Sequence, residues 1–303
     1  MFFNWLGALP GAAAQGMVWG IMAIGLYVTY KILDIADLTV DGSICTGGAV
    51  CAVLVTNGVN VWLAMLVAML AGMLAGLVTG VLHKYMGIPA ILAGILTQLI
   101  LWSVNLKIMG KANIALPVRN YKLLLAQIYT GKSLLVLAGV IIVLIGVLYW
   151  FFGTELGTSL RATGSNQNMS RAQGINTDIT SILGLVISNG IVAFSGALLA
   201  QYQGFADINM GRGAIVIGLA AVIIGEAIMS KFSTNFAAKL AGVILGGVVY
   251  YFVYQTVIFL GLDADLLKML SAVVVAVFLA VPYWKKKYFT KPSGKVKGGS
   301  GNA

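Results

Sequence analysis

Apolar runs about as long as a bilayer is thick recur along this chain, and they leave few folds open to it. They fall at Ala12–Leu33, Gly42–Gly58, Val61–Leu82, Ile88–Leu106, Leu134–Phe152, Ile179–Gln201, Gly213–Met229, Phe236–Leu260 and Leu266–Tyr283. A helix needs ~20 apolar residues to cross ~30 Å of hydrocarbon, where every backbone polar group must find its partner inside the protein. The runs are continuous rather than alternating, which excludes a closed β-barrel. Hydrophobic residues make up 60% of the chain and charged residues only 9%, against about a quarter charged in a soluble domain. The expectation is an all-α, polytopic membrane helical bundle of about 8–10 spans, with nine candidates.

The second candidate differs from its neighbours. It is short, and Asp34, Asp37, Asp41 and Gly42 introduce it. Irregular backbone at membrane depth survives only where protein buries it or water reaches it. This segment therefore reads as a broken or re-entrant helix beside a cavity, and Asp41, Gly42, Ser43 and Thr46 are the candidates for a translocation pathway.

The formal net charge of +10 is no nucleic-acid signal. Six of the nineteen cations lie in the tail Lys285–Lys297, directly after the last apolar run. Such lysines mark the cytoplasmic face and pair with anionic lipid. Residues 1–285 then form a transmembrane domain and 286–303 a basic, flexible cytoplasmic tail. Alternation from that tail places His83–Lys84, the Thr154–Asp178 loop and Lys231 on the inside. The loop Lys107–Lys132 carries five cations and no acid, yet alternation puts it outside. The start of the chain has no basic n-region or small-residue cleavage site, so no removable signal peptide is expected.

Catalytic chemistry has few candidates. His83 is the one histidine, at a span end, and reads as interfacial. Cys45 and Cys51 read as small buried hydrophobes. Glu226 is the one acid well inside a run, but Lys231 follows five residues later, so it is either functional or an interfacial carboxylate. The sequence AQIYTGKS at Ala126–Ser133 imitates a phosphate-binding loop, but it has Ala126 where the first glycine is required and no strand before it. No cofactor, metal site or ATP binding by the chain itself is expected. Gly72, Gly76 and Gly80 form a stripe that lets helix backbones approach closely, and Gly242 and Gly246 repeat it.

The polar loop Thr154–Asp178, TELGTSLRATGSNQNMSRAQGINTD, separates two of the most apolar runs. With glycines as breaks, Leu160–Ala172 is expected to form one or two short helices at the membrane surface. Arg161 and Arg171 would face solvent, lipid phosphate or an acidic partner groove. The segment Phe205–Gly213, FADINMGRG, reads as a turn.

Four ordered blocks carry a family resemblance. LRATGSN at Leu160–Asn166, followed by AQGIN at Ala172–Asn176, resembles the cytoplasmic signature of ABC-importer permeases of the branched-chain amino acid and ribose type. DLTVDGS at Asp37–Ser43, NLKIMGKANI at Asn105–Ile114 and GLAAVIIGE at Gly218–Glu226 resemble the subgroup served by tryptophan- or tyrosine-type binding proteins. The resemblance implies a homodimer in the plasma membrane that pairs with two ATPase subunits and one extracytoplasmic substrate-binding protein. Carried over by residue, contact with the ATPase falls on Leu160, Arg161, Ala162, Thr163, Gly164, Asn166, Gly174 and Ile175. The solute would be a small molecule, an amino acid of the aromatic kind, moved by alternating access. The alternatives are a permease for a sugar or nucleoside, or an ion-coupled secondary transporter.

Overall fold

A computed structural model of the chain describes residues 2–229 and 235–259, together with Met269, Ala272, Val273, Ala276, Val277 and Ala280. The helices are α1 (Phe2–Tyr27), α2 (Val40–Thr56), α3 (Val61–Lys84), α4 (Ala90–Met109), α5 (Thr130–Gly153), α6 (Glu155–Ser165), α7 (Gln167–Ala172), α8 (Thr177–Gln203), α9 (Ala214–Met229) and α10 (Phe236–Phe259). Two three-residue strands, β1 (Asn113–Ala115) and β2 (Phe205–Asp207), pair antiparallel with Ile114 opposite Ala206. They join the end of α4 to the end of α8.

The all-α membrane bundle holds, but the count of nine spans does not. Among the described residues six helices are long and apolar enough to cross a membrane, α1, α3, α4, α5, α8 and α10. The second and seventh candidates are α2 and α9, with 17 and 16 residues. At 1.5 Å per residue α2 and the described part of α9 reach roughly 24–26 Å, short of a full crossing. The ninth candidate and the basic tail lie outside the described residues, apart from isolated positions in the former.

The bundle is organised around α8, which with α1 is the most enclosed of the long helices, while α5 is the most exposed. α3 runs antiparallel to α8, with Gly72 against Asn189, Gly76 against Leu185 and Gly80 against Ile182. A Cβ on Gly72 or Gly76 would overlap a backbone carbonyl of α8, so this stripe lets the two backbones approach closely. α2 lies parallel to α8, with Ser43 beside Asn189 and Cys51 beside Gln201. α10 packs antiparallel on α1, with Gly247 against Gly16 and Gly20, and on α9, with Gly246 against Ala221.

Side-chain pairs fix which loops share an end. Lys84 Nζ lies 3.8 Å from Asp178 Oδ1, and Lys31 Nζ lies 2.9 Å from Glu226 Oε2. His83, Lys84, α6 and α7 therefore occupy one end of the bundle, as alternation predicts, while Lys231 lies outside the described residues. The basic loop after α4 occupies the opposite end, where Leu116 N donates to Gly204 O at 2.7 Å and Leu124 N to Gln201 Oε1 at 3.2 Å. Glu226 is thus an ion-paired carboxylate with a side chain about a third exposed, not a lone acid in lipid. The imitation phosphate loop is a short 3-10 turn leading into α5, and Ser133 Oγ bonds back to both N and O of Ala126.

Candidate functional site

At the Lys84 end, three side-chain caps shape the polar loop into a folded corner. Thr154 Oγ1 accepts from Gly157 N at the start of α6. Asn166 Oδ1 accepts from Met169 N at 3.0 Å at the start of α7. Asn176 Oδ1 accepts from Asp178 N and Ile179 N at the start of α8. Each cap satisfies a donor that a helix start otherwise leaves unpaired. Two short helices result, and Gly174, with φ +85°, ends the second.

α6 is clamped to the bundle from several sides. Leu160 is fully buried, and Thr163 Oγ1 lies 2.9 Å from Thr180 Oγ1 of α8. Gly164 rests against the backbone of Ile32 and Leu33, below α1, where a Cβ would overlap the Ile32 carbonyl. Ala162 is half-buried beside them. Asn166 and Gly174 are exposed, and Ile175 N bonds to Ser170 O at 3.0 Å.

Both arginines are exposed, as expected, and each is also held to the bundle. The Arg161 guanidinium donates to Phe152 O and lies over the Phe152 and Phe236 rings, 5.7 and 5.4 Å from their centroids. Arg171 donates to Thr177 Oγ1 at 2.7 Å and to Asp178 Oδ1 at 3.2 Å. Both tie the corner to the bundle instead of projecting freely. The outward apolar groups are Leu156 and Met169, 58% and 60% exposed. Sequence reading passed over them, although apolar residues in so polar a loop are a signal for contact with another surface.

A second constellation lies near the middle of the bundle. After α1 the chain makes a wider π-type turn at Val28–Ile32, passes Asp34 with φ +55°, and starts α2 only at Val40. Asp37 is buried beside Asn189, near the midpoint of α8. Asn189 Nδ2 donates to Asp37 Oδ2 at 2.7 Å, Ser43 Oγ donates to Asn189 Oδ1 at 2.6 Å, and Thr39 N donates to Asp37 Oδ1 at 2.9 Å. A hydroxyl chain Thr39–Thr79–Thr97 continues it across α3 to α4, at 2.7 and 2.9 Å.

The break in α2 is matched by one before α9. Gly213 N and Ile215 N both donate to the Asp41 carboxylate at 3.0 Å, so the first turn of α2 caps α9. The Phe205–Gly213 segment is therefore more than a turn. Its first residues form β2, and its remainder returns along α2, with Gly211 N on Cys45 Sγ at 3.1 Å. One carboxylate in the first turn of α2 thus holds the start of α9. Asp41 and Gly42 also line a cleft of about 140 Å³ between α2, α4 and this return, shared with Gln98, Trp102, Asn105 and Arg212. Ser43 instead faces Asn189, and Thr46 Oγ1 bonds to Gly42 O within α2.

Residues 9–282 match the family described as branched-chain amino acid transport system, permease component. The chain belongs to this ABC permease family. The permease is 41% identical to a tyrosine transport system permease protein of Clostridioides difficile (strain R20291), over 88% of each chain. It is 35% identical to an uncharacterized protein of Rickettsia prowazekii (strain Madrid E), over 89% of this chain and 95% of that one. A fructose import permease protein of Bifidobacterium longum (strain NCC 2705) is 28% identical over 85% of this chain and 72% of its own. No solved structure matches the permease significantly. Family membership and six apolar helices make it a multi-pass membrane protein and the transport subunit of an ABC system.

Proposed function

We propose that this permease is the membrane subunit of an ATP-driven importer for an amino acid, an aromatic one by likeness to the tyrosine transport relative. An extracytoplasmic binding protein delivers the solute, two separate ATPase subunits supply the work, and two permease copies form the path. The corner Thr154–Asp178 meets the ATPase, which places the Lys84 end and the C-terminal tail in the cytoplasm. Residues 1–285 form the permease domain and 286–303 its tail.

The observation that carries this reading is the clamp on α6. Leu160, Arg161, Thr163 and Gly164 bind it to α8, to the end of α5, to the start of α10 and to the turn below α1. A push on α6 is passed to the helices that carry both mid-bundle breaks. Ala162, Asn166, Gly174 and Ile175 shape the same corner. Alternating access follows when ATP draws the two corners together and the breaks at Asp37 and Asp41 open or close.

Uptake by the complete complex in proteoliposomes tests the proposal. Labelled tyrosine should accumulate only with ATP, be indifferent to a protonophore and be outcompeted by phenylalanine but not by fructose. Glu226→Gln should change the rate less than about fivefold, because a partly exposed ion pair contributes about 0–1 kcal/mol. Protonophore-sensitive uptake abolished by Glu226→Gln would instead establish an ion-coupled carrier, and ATP-dependent accumulation of fructose would move the solute class to sugars.

A further inference from the structure

The mid-bundle cleft contains an unmatched set of polar groups. Asn105 is 1% exposed, yet neither its amide nitrogen nor its oxygen has a hydrogen-bond partner among the described residues. An unmet buried amide costs about 1–3 kcal/mol, so a native fold keeps one where something else completes it. Asp41 and Arg212 line the same cleft without bridging one another, and among the described residues the Arg212 guanidinium has no hydrogen-bond or ion-pair partner. The Asp41 carboxylate accepts the N–H groups of Gly213 and Ile215 at the start of α9, with that of Ala214 beside them, which still leaves a lone pair for a further donor. Trp102 supplies an aromatic wall and Gln98 a second amide. Charges at this depth cannot open onto lipid, so protein or an aqueous path must meet them.

Resting on the amino-acid reading above, we propose that this cleft is a binding site on the permease itself for the zwitterionic head of an α-amino acid. Arg212 receives the carboxylate and Asp41 the ammonium. Asn105 supplies both a donor and an acceptor between them, and an aromatic side chain of the solute leaves the cleft along Trp102. A carboxylate and a guanidinium held apart in one cleft are matched by a molecule that carries both opposite charges. A neutral sugar would leave each of them desolvated and unpaired. The volume of about 140 Å³ suits the head group, with the ring outside it.

The test is direct binding to purified permease in nanodiscs, using L-phenylalanine, phenethylamine, which lacks the carboxylate, and 3-phenylpropionate, which lacks the ammonium. L-phenylalanine is expected to bind in the millimolar range and to exceed each truncated probe by about tenfold or more, the scale of a charge-assisted hydrogen bond. Arg212→Gln, at an exposed position, should reduce L-phenylalanine to the level of phenethylamine, and Arg212→Lys should restore part of the difference. Asn105→Leu should weaken L-phenylalanine and both truncated probes together. Equal binding of the three probes, an unchanged ratio in Arg212→Gln, or no binding by the unaltered permease up to about 10 mM would overturn the proposal. ATP-driven amino-acid uptake unchanged by Arg212→Gln would also sink the cleft while leaving the importer reading intact. Failure of the importer reading shows separately, as an unaltered complex that accumulates no amino acid.

Discussion

Gly164→Val is expected to cut coupled transport severely. The position faces the Ile32 backbone so closely that a Cβ would overlap the carbonyl oxygen, and carbonyl oxygens cannot step aside as a side chain can. Overpacking of this kind costs about 1–3 kcal/mol, which the helix avoids by tilting away from the turn below α1. α6 then no longer presses on the helix that leads into the first break. Uptake should fall by up to about a hundredfold, the upper end of what about 1–3 kcal/mol gives, while insertion of the protein into membranes is retained. Gly153→Val is the control, because nothing lies within 4 Å of a Cβ there. Near-normal uptake by Gly164→Val would remove α6 from the transmission path.

The second large effect is on stability. Asn189→Leu removes the side chain that donates to Asp37 and accepts from Ser43. It leaves the buried Asp37 carboxyl with Thr39 alone, through its N–H and its side chain. Leaving a buried hydrogen-bonding group without its partner costs about 1–3 kcal/mol, and more when the group is charged. The variant is expected to lose most of its monodisperse peak in detergent and to melt earlier than the native protein. Removing both partners is less harmful than removing one, so Asp37→Leu combined with Asn189→Leu should be more stable than Asn189→Leu alone. Additive losses in that cycle would show that the two side chains act independently.

Both sites show which features a linear sequence exposes. The long apolar helices were legible because each carries its own evidence, a run of ~20 residues without charge. The polar corner was legible as two short helices because its caps and glycines are local. The span count was not, since α2 and α9 are as apolar as their neighbours. What shortens them is a set of pairings across more than 150 positions, Asp37 with Asn189 and Asp41 with Gly213 and Ile215. Asp34, Asp37, Asp41 and Gly42 did signal the break, but nothing in them indicates that Asn189 or α9 answers it. Arg161 looked free for the same reason, because Phe236 is 75 positions away in the chain. In the Phe205–Gly213 segment the residues suggest only a turn, and tertiary contact with Cys45 and Asp41 makes it part of the site.

The most direct test of the account is isolation of the permease from native membranes in mild detergent, with mass spectrometry of whatever remains bound. The account predicts a P-loop ATPase in stoichiometric yield, lost when Arg161→Glu places a carboxylate between the Phe152 and Phe236 rings and against the Phe152 carbonyl. A permease that comes away without any ATPase across several detergents, or an ATPase retained in full by the Arg161→Glu protein, would contradict it.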